Sequence, residues 1–202
     1  MQIKKIIKNS SPYLIAEVGV NYENNLNLAE KIIKQAKLGK ADAVKFQTYK
    51  AETIAAKKSP YYWDLNKVKI KSQYKLFKKY DKFGENEFIK LKKICDHYKI
   101  EFLSTPFDLN SALFLNKIVK FFKIASADLT NLMLIDYICK FKKPVLLSTG
   151  ASSFKEISSI HKHISSNYPK TDLALMHCIL SYPTKYEDAH LEIIPFLKKK
   201  FR

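Results

Sequence analysis

The strongest constraint on the fold is a strand-then-helix pattern that repeats six times along the chain. Six short apolar runs stand at residues 13–20, 43–49, 100–107, 121–126, 144–150 and 173–183. Each run is followed by a segment with helical periodicity, such as "NLNLAEKIIKQAKLG" or "ENEFIKLKKICDHYK". Strands that are apolar on both faces are typical of parallel sheets covered by helices. The sequence therefore predicts an α/β fold.

Two α/β architectures fit this order, an open doubly wound sheet and a (β/α)8 barrel. The first strand lacks the Gly-x-Gly-x-x-Gly turn of dinucleotide-binding folds, since only Gly19 lies near it. A complete barrel usually needs ~250 residues, whereas the 202 residues here hold about six strand–helix units.

Charge and cysteine content restrict the class of protein. The formal net charge is +17, but nearly all 36 basic residues are lysines and Arg202 is the sole arginine. Because nucleic-acid readers depend on arginine for bidentate and stacking contacts, we expect no nucleic-acid partner. The three cysteines, Cys95, Cys139 and Cys178, form no CxxC pair, which favours free thiols in a reducing compartment.

Two further features bear on location. No run approaches ~18 consecutive apolar residues, so no membrane-spanning helix is predicted. Residues 1–12 begin with basic residues but lack an apolar stretch of ~7 residues, which makes them a poor secretory signal. With the reducing compartment, these features predict a cytoplasmic protein without a membrane partner.

Polar residues interrupt or follow the apolar strands. Glu17 lies within the first strand, and Lys45 and Gln47 are two apart in the second, so they share one strand face. The later strands contribute Ser104, Thr105, Lys123, Ser126, Asp128, Ser148, Thr149, His177, Cys178, Ser181 and Tyr182. In a barrel, side chains at the carboxyl ends of several strands meet. Two lysines with hydroxyl and amide groups favour a small phosphate- or carboxylate-bearing substrate. Glu17 would move protons or stabilise a developing cation.

Most of these residues also have a purely structural interpretation. A strand lysine can pair with a nearby carboxylate, and strand-end Ser or Thr often caps the next helix. These interpretations apply to Lys45, Lys123, Ser104, Ser148 and Thr149. His177 is more typical of a hydrogen-bonded core histidine than of a catalytic one, and Cys95 and Cys139 are expected to pack in helices.

Ordered sequence blocks resemble the sialic acid synthase family, which includes N-acetylneuraminate synthase and its legionaminic and pseudaminic acid relatives. The blocks are "IAEVGVN" at 15–21, "ADAVKFQTYKAET" at 41–53, "FLSTPFD" at 102–108, "FKIASADLTN" at 122–131, "KPVLLSTGAS" at 143–152 and "LMHCILSYPT" at 175–184. Several blocks in order, with compatible spacing, are more specific than any single motif.

The resemblance implies a fold and a reaction. The expected fold is a (β/α)8 TIM barrel, with about six of its eight units in residues 1–202 as an N-terminal synthase domain. A C-terminal antifreeze-like domain, a domain-swapped homodimer and a divalent metal (Mn²⁺ or Mg²⁺) complete the family pattern. The implied reaction joins phosphoenolpyruvate to an N-acyl amino-sugar aldehyde, such as N-acetylmannosamine. It gives a nonulosonic acid and phosphate through C–C bond formation and C–O cleavage.

Site residues follow from the matched motifs. The residues implied to hold phosphoenolpyruvate are Lys45, Gln47, Thr105, Lys123, Ser126 and Ser148. Glu17 is implied to serve water addition and the charge near C2, while Asp128 and Tyr182 fall where the family contacts the sugar. The connection between Ala51 and Tyr80, where sugar contacts are also expected, matches poorly, so the sequence does not predict which N-acyl sugar is used.

Several positions depart from the family pattern. Tyr22 replaces an expected histidine, Asp128 replaces a glutamate, and Leu180 replaces a polar residue. The family's two metal-binding histidines and its C-terminal domain are expected beyond residue 202. We therefore expect this chain not to turn over by itself. The alternatives are a catalytically silent chain that binds phosphoenolpyruvate or phosphate, and a Schiff-base aldolase with Lys123 as the nucleophile.

Overall fold

The computed structural model describes Ile3 and residues 12–201. These residues divide into two compact units, which we name the N-terminal unit (residues 12–119) and the C-terminal unit (residues 120–201, with Ile3). The segment considered above as a secretory signal, residues 1–12, lies outside the described residues except for Ile3 and Pro12. No helix in the described part of the chain is long and apolar enough to cross a bilayer.

The N-terminal unit is a three-stranded parallel sheet with helices between its strands. The strands are β1 (Ile15–Gly19), β2 (Ala43–Thr48) and β3 (Glu101–Pro106), hydrogen-bonded in the order β1-β2-β3. The helices are α1 (Leu26–Leu38), α2 (Ala51–Ile54), α3 (Gln73–Tyr80), α4 (Glu85–His97) and α5 (Leu109–Asn116). The predicted order of strands and helices is confirmed in this unit.

The C-terminal unit repeats the arrangement. Its strands are β4 (Phe122–Ile124), β5 (Val145–Ser148) and β6 (Leu173–Met176), parallel and in the order β4-β5-β6. Its helices are α6 (Leu132–Cys139), α7 (Phe154–Asn167) and α8 (Ile193–Lys200), with 3₁₀ turns at Ser126–Asp128 and Tyr186–Asp188. The α/β class with parallel sheets is thus confirmed.

The helices that follow β3 and β5 are not capped by the hydroxyl residues at the ends of those strands. Asp108 accepts a first-turn backbone N–H of α5, and Ser153 forms a capping box at the start of α7. The interpretation of Ser104, Ser148 and Thr149 as helix caps is therefore wrong. Their hydroxyls are available for other contacts.

Aromatic side chains fill the space between sheet and helices in the N-terminal unit. The rings of Phe46 and Phe102 stack with their centroids 5.7 Å apart. Tyr22, in the position where a histidine was expected, is 1 % exposed and lies against Phe46 and Phe83, with centroids 5.5 and 4.9 Å away. Burial raises the pKa of the Tyr22 phenol. Tyr22 is thus a packing residue of this core.

Two boundaries differ from the sequence-based prediction. Strand β6 ends at Met176, because its pairing with β5 ends where Ser148 meets Met176. His177 and Cys178, which were placed inside the sixth strand, directly follow it instead. The apolar run continues to residue 183 in the sequence. The strand is shorter than the run because a strand extends only as far as it is hydrogen-bonded to its neighbour.

The connection after β2 is more ordered than its irregular sequence indicates. It contains the short helix α2 and the helix α3, which begins after the N-cap Ser72. Between them, Trp63 donates its indole N–H to the carbonyl oxygens of Val68 and Ile70, at 3.1 and 3.0 Å. These bonds fold the segment back on itself around one aromatic ring.

Candidate functional site

The N-terminal unit brings a buried lysine against a carboxylate and a hydroxyl. Lys45 on β2 is 5 % exposed. Its Nζ lies 2.9 Å from Oε2 of Glu17 on β1 and donates to Oγ1 of Thr105 on β3 at 3.0 Å. The strand register explains the contacts, since Glu17 is paired with Lys45 and Gln47 with Thr105. Four of the residues predicted for phosphoenolpyruvate and catalysis therefore lie on neighbouring strands.

Successive side chains of a strand point to opposite faces of the sheet, and this alternation separates the polar residues of β2 and β3 into two groups. Lys45 and Gln47 point to one face of β2, so Thr48 points to the other. There Thr48 Oγ1 shares a 2.6 Å hydrogen bond with Oγ of Ser104. Of the two strand-end hydroxyl residues of β3, Thr105 alone faces Lys45, and Ser104 joins the opposite face.

Glu17 stands beside an irregularity in β1. The register shifts between Glu17 and Gly19, and Gly19 has a φ of +57°, which favours glycine. A bulge of this kind bends a strand and redirects its side chains, and such bulges are common next to active sites. The β1–β2 pairing is therefore interrupted just after the carboxylate that meets Lys45.

The environment of Glu17 differs from the one inferred from sequence. An apolar run on both sides suggests a buried carboxylate, yet the Glu17 side chain is 60 % exposed. The desolvation cost of a buried charge is avoided, because the carboxylate keeps water and has a lysine partner. The structural interpretation of Lys45, pairing with a nearby carboxylate, is confirmed, and the partner is itself a predicted site residue.

The C-terminal unit holds a second buried lysine in a hydroxyl and thiol environment. Lys123 on β4 is 6 % exposed. Its Nζ donates to the carbonyl oxygen of Ile124 at 3.0 Å and also donates to Oγ of Ser148, at the end of β5. Cys178 Sγ donates to the same Ser148 oxygen at 3.2 Å. The Ser148 oxygen thus accepts two hydrogen bonds, one from the lysine ammonium and one from the thiol.

Ser126 lies beside the turn that follows β5. Its Oγ accepts a hydrogen bond from the backbone N–H of Gly150 at 3.0 Å. A Cβ at Gly150 would stand 2.9 Å from the carbonyl oxygen of Cys178 and 3.0 Å from Ser126 Oγ. Only glycine fits there without moving its neighbours. Thr149 fixes the same turn, because its N–H and hydroxyl both donate to the Met176 carbonyl at 3.0 Å.

Asp128 closes the 3₁₀ turn that begins at Ser126. One carboxylate oxygen accepts from Asn131 Nδ2 at 3.1 Å, and the other, Oδ2, is buried without a hydrogen-bond partner. Burial raises the pKa of this carboxyl, and the Asn131 hydrogen bond opposes the rise. A buried, unsatisfied acceptor is the kind of group that a ligand hydroxyl can satisfy.

The segment after β6 carries the remaining predicted residues. The predicted sugar residue Tyr182 is 88 % exposed, and Leu180 is half exposed. His177 is half-buried, and its Nε2 lies 2.7 Å from the Ala189 carbonyl oxygen, as expected for a structural histidine. A contact of Tyr182 with a sugar stays a prediction.

The metal expected for the family finds no matching ligands among the described residues. Residues 12–201 contain no group of three or more histidine, cysteine or carboxylate side chains placed to hold an ion. His163 instead pairs with Asp136 at 2.6 Å, and His161 packs against the ring of Phe201. The donor groups in this part of the chain thus do not fit a metal, and none of its chemistry is assigned to one.

Two contributors to this arrangement were missed at the level of sequence. Gly150 was noted only as the end of a motif, and Cys178 was grouped with the sixth strand without a role. Their contacts join residues 24 to 30 positions apart. The available signal was that Gly150 and Cys178 each come shortly after a strand. That position indicates a place near the site, but it does not indicate which residue either of them contacts.

Comparison with known proteins adds the family. A sequence model of the NeuB family matches residues 32–202. The protein MJ1065 of Methanocaldococcus jannaschii is 41 % identical over 96 % of this chain and 54 % of its own length. An N,N'-diacetyllegionaminic acid synthase of Campylobacter jejuni is 38 % identical over 94 % of this chain and 58 % of its own. The chain therefore spans a little over half the length of these curated relatives.

A solved structure gives the same answer for the fold. The N-acetylneuraminic acid synthetase of Leptospira borgpetersenii, crystallised with citrate, superimposes with a TM-score of 0.81 at 34 % identity. The match covers 94 % of this chain and 61 % of that one. The family resemblance expected from the motifs is confirmed, and the chain belongs to the NeuB family.

Proposed function

We propose that this chain acts in the condensation of phosphoenolpyruvate with an N-acyl amino-sugar aldehyde, N-acetylmannosamine or a relative. C3 of phosphoenolpyruvate attacks the aldehyde carbon and forms the new C–C bond. Water adds at C2, and the C2–O bond to the phosphate breaks, which releases phosphate and leaves a nonulosonic acid. Family membership and the synthase relatives support this reaction class.

The observation that carries the proposal is the pair of buried lysines, each next to a strand-end hydroxyl. Lys45 contacts Thr105, and Lys123 contacts Ser148, within separate parallel sheets. Phosphoenolpyruvate carries a phosphate and a carboxylate, which are hydrogen-bond acceptors when ionised. Ammonium and hydroxyl donors match that chemistry, since charge-assisted hydrogen bonds are the strong ones.

In the N-terminal unit, Lys45, Gln47 and Thr105 would bind phosphoenolpyruvate. Glu17 would serve the addition of water and stabilise the positive charge that develops at C2. The 2.9 Å contact to Lys45 supports this role, because the ion pair holds the carboxylate in one place. Its exposed position leaves it in contact with solvent water.

In the C-terminal unit, Lys123, Ser126 and Ser148 would bind phosphoenolpyruvate. Asp128 and Tyr182 would contact the sugar, and the unsatisfied Asp128 Oδ2 supports the first of these roles. A carboxylate oxygen is a suitable acceptor for a sugar hydroxyl or an acylamino N–H.

The larger assembly is part of the same proposal. We take the strand–helix units as members of a (β/α)8 barrel and the active protein as a cytoplasmic homodimer that requires Mn²⁺ or Mg²⁺. These points rest on the family resemblance alone. The C-terminal antifreeze-like domain belongs to the same expectation.

The test has two stages with the 202-residue protein. Isothermal titration calorimetry should show binding of phosphoenolpyruvate. Phosphate release should then be followed with phosphoenolpyruvate, Mn²⁺ and N-acetylmannosamine, and Glu17→Gln should abolish most of any turnover while the circular dichroism spectrum stays unchanged. Absence of phosphoenolpyruvate binding would contradict the proposal, and undiminished turnover by Glu17→Gln would remove Glu17 from it.

A catalytically silent binder is the second candidate. It is favoured by one observation, namely that the described residues offer no group of ligands for the expected metal. Binding of phosphoenolpyruvate without phosphate release, at any Mn²⁺ concentration, would support this candidate over the synthase.

The Schiff-base alternative has its own test. Borohydride added in the presence of pyruvate should leave Lys123 unmodified, as judged by peptide mass spectrometry. A reduced adduct of pyruvate on Lys123 would favour the aldolase instead.

A further inference from the structure

Two serines in the C-terminal unit accept hydrogen bonds from groups of the protein itself. Ser148 Oγ accepts from Lys123 Nζ and from Cys178 Sγ, the latter at 3.2 Å. Ser126 Oγ accepts from the Gly150 N–H at 3.0 Å. A serine hydroxyl has two acceptor positions and one donor proton. Lys123 and Cys178 together occupy both acceptor positions of Ser148.

The remaining hydrogen-bonding capacity of Ser148 is its own O–H proton. A lysine ammonium group can only donate hydrogen bonds. Rotating the Ser148 hydroxyl therefore cannot exchange the donor and acceptor roles in its hydrogen bond with Lys123. With the thiol also donating, Ser148 can bind a ligand solely as a donor. Such a group selects acceptors, among which phosphate and carboxylate oxygens are the strongest.

Gly150 restricts Ser126 at one of its two acceptor positions. Its N–H occupies one acceptor position of that hydroxyl, and its missing side chain lets the backbone approach both Ser126 Oγ and the Cys178 carbonyl oxygen. A Cβ at this position would stand 3.0 Å from the hydroxyl and 2.9 Å from the carbonyl oxygen. The carbonyl belongs to backbone and cannot rotate away. The glycine therefore fixes where Ser126 and residue 178 lie relative to the turn.

We infer that Cys178 and Gly150 are positioning residues, which hold the hydroxyls of Ser148 and Ser126 as hydrogen-bond donors toward an anionic ligand. The inference rests on the proposed function in one respect, that phosphoenolpyruvate is the anion. Neither residue contacts the reacting atoms in this scheme, and each acts through a serine.

A matched control is present in the same unit. Cys139 is a buried thiol at the end of α6, and Cys178 is half-buried beside β5 and β6. Replacement of either by alanine removes one sulfur atom, but replacement of Cys178 alone frees an acceptor position of Ser148. The pair separates an effect on packing from an effect on hydroxyl orientation.

The experiment is a calorimetric titration of the 202-residue protein with phosphoenolpyruvate, and in parallel with inorganic phosphate. Cys178→Ala should bind about fivefold more weakly, the equivalent of roughly one neutral hydrogen bond. Cys178→Ser keeps a donor at this position and should recover at least half of the loss in binding free energy. Cys139→Ala should lower the thermal unfolding temperature and leave the affinity unchanged.

Gly150→Ala provides an independent measurement. The added Cβ displaces Ser126 or the Cys178 carbonyl, and affinity should fall about tenfold if one charge-assisted contact is lost. Equal affinities of the unsubstituted protein, Cys178→Ala and Gly150→Ala would overturn the inference and leave the proposed function standing. No binding of phosphoenolpyruvate or phosphate by the unsubstituted protein would overturn both. Binding of phosphate without phosphoenolpyruvate, weakened by Cys178→Ala, would overturn the proposed ligand and support the positioning role.

Discussion

The two units contain the same types of charged group and use them differently. In the N-terminal unit, the buried lysine and the carboxylate are in contact, with Lys45 Nζ 2.9 Å from Glu17. In the C-terminal unit, Lys123 donates to neutral oxygens of Ile124 and Ser148, while Asp128 bonds to Asn131 and leaves one oxygen without a partner. The Lys45 contact joins two charged groups, whereas the Lys123 contacts with Ile124 and Ser148 join a charged group to neutral oxygens.

This difference bears on what each unit can offer a ligand. An anion that approaches Lys45 competes with Glu17 for the same ammonium group. The contacts of Lys123 with the Ile124 carbonyl and the Ser148 hydroxyl position its ammonium group, and neither of these two partners is an anion that competes with a ligand. We therefore expect the C-terminal unit to contribute more to the affinity for an anion, and the N-terminal unit to contribute the carboxylate that takes part in chemistry.

The largest effect is expected from removing the ammonium group of Lys123. Lys123→Met should weaken phosphoenolpyruvate binding about 100-fold, which corresponds to ~2.7 kcal/mol, near the upper end for a hydrogen bond to a charged group. The double variant Lys45→Met/Glu17→Gln removes a pair without changing the net charge. It should weaken binding by about tenfold or less. Calorimetric titration measures both.

Methionine keeps the length of the lysine stem, so thermal unfolding serves as the control for folding. Equal losses in the two variants would show that the two units contribute equally. A larger loss in the double variant would reverse the comparison.

A smaller effect is expected from Asp128→Asn, measured as stability. The unfolded carboxyl has an ordinary pKa of 3.8, and burial raises the pKa in the folded protein. The folded state therefore keeps its proton to a higher pH, and the stability of the unsubstituted protein falls as pH rises through that interval. Asparagine does not titrate there. Because the amide is neutral, the variant avoids the desolvation cost of the buried negative charge and should be more stable by about 1 kcal/mol at neutral pH.

Urea unfolding between acid and neutral pH measures this difference. The gain should shrink as the pH falls below the folded pKa, because the native carboxyl then carries its proton. A variant that is less stable than the unsubstituted protein at neutral pH would show that Asp128 is satisfied in the folded state.

The smallest effect concerns Glu17 and has the opposite sign. Glu17→Gln removes the carboxylate that competes for Lys45, so the affinity for phosphoenolpyruvate should rise about threefold, within the range of exposed ion pairs. The gain should diminish with added salt. Weaker binding by Glu17→Gln would indicate that the ion pair positions Lys45 for the ligand more than it competes.

The sequence patterns correctly predicted the features that depend on neighbouring residues in the chain, namely the strands and the face of a strand on which a side chain lies. Two-residue spacing placed Lys45 and Gln47 on one face of β2, and the apolar runs located the strands of both sheets. The same reasoning failed for Ser148, where a cap was an open interpretation, because a later serine forms a full capping box with Glu156. Ser148 and Ser153 both precede α7 in the sequence. Which of them caps the helix depends on where the helix begins, and the sequence pattern alone does not fix that residue.

Contacts between distant positions were beyond sequence reasoning. The bulge at Gly19, the approach of Gly150 to residue 178 and the thiol contact of Cys178 depend on tertiary distances. Tyr22 was identified as a departure from the family, but its aromatic partners became visible in the folded chain alone. Residue type indicates what a side chain can do, and packing decides which neighbour it meets.

Trp63 gives this protein a built-in optical reporter. It is the single tryptophan of the chain, and its indole N–H is held by the carbonyl oxygens of Val68 and Ile70. Indole emission responds to the polarity around the ring, so the fluorescence spectrum describes the connection between α2 and α3 and no other tryptophan adds background. Because sugar contacts are expected in this connection, we expect binding of the proposed N-acyl amino sugar to shift the wavelength of the Trp63 fluorescence.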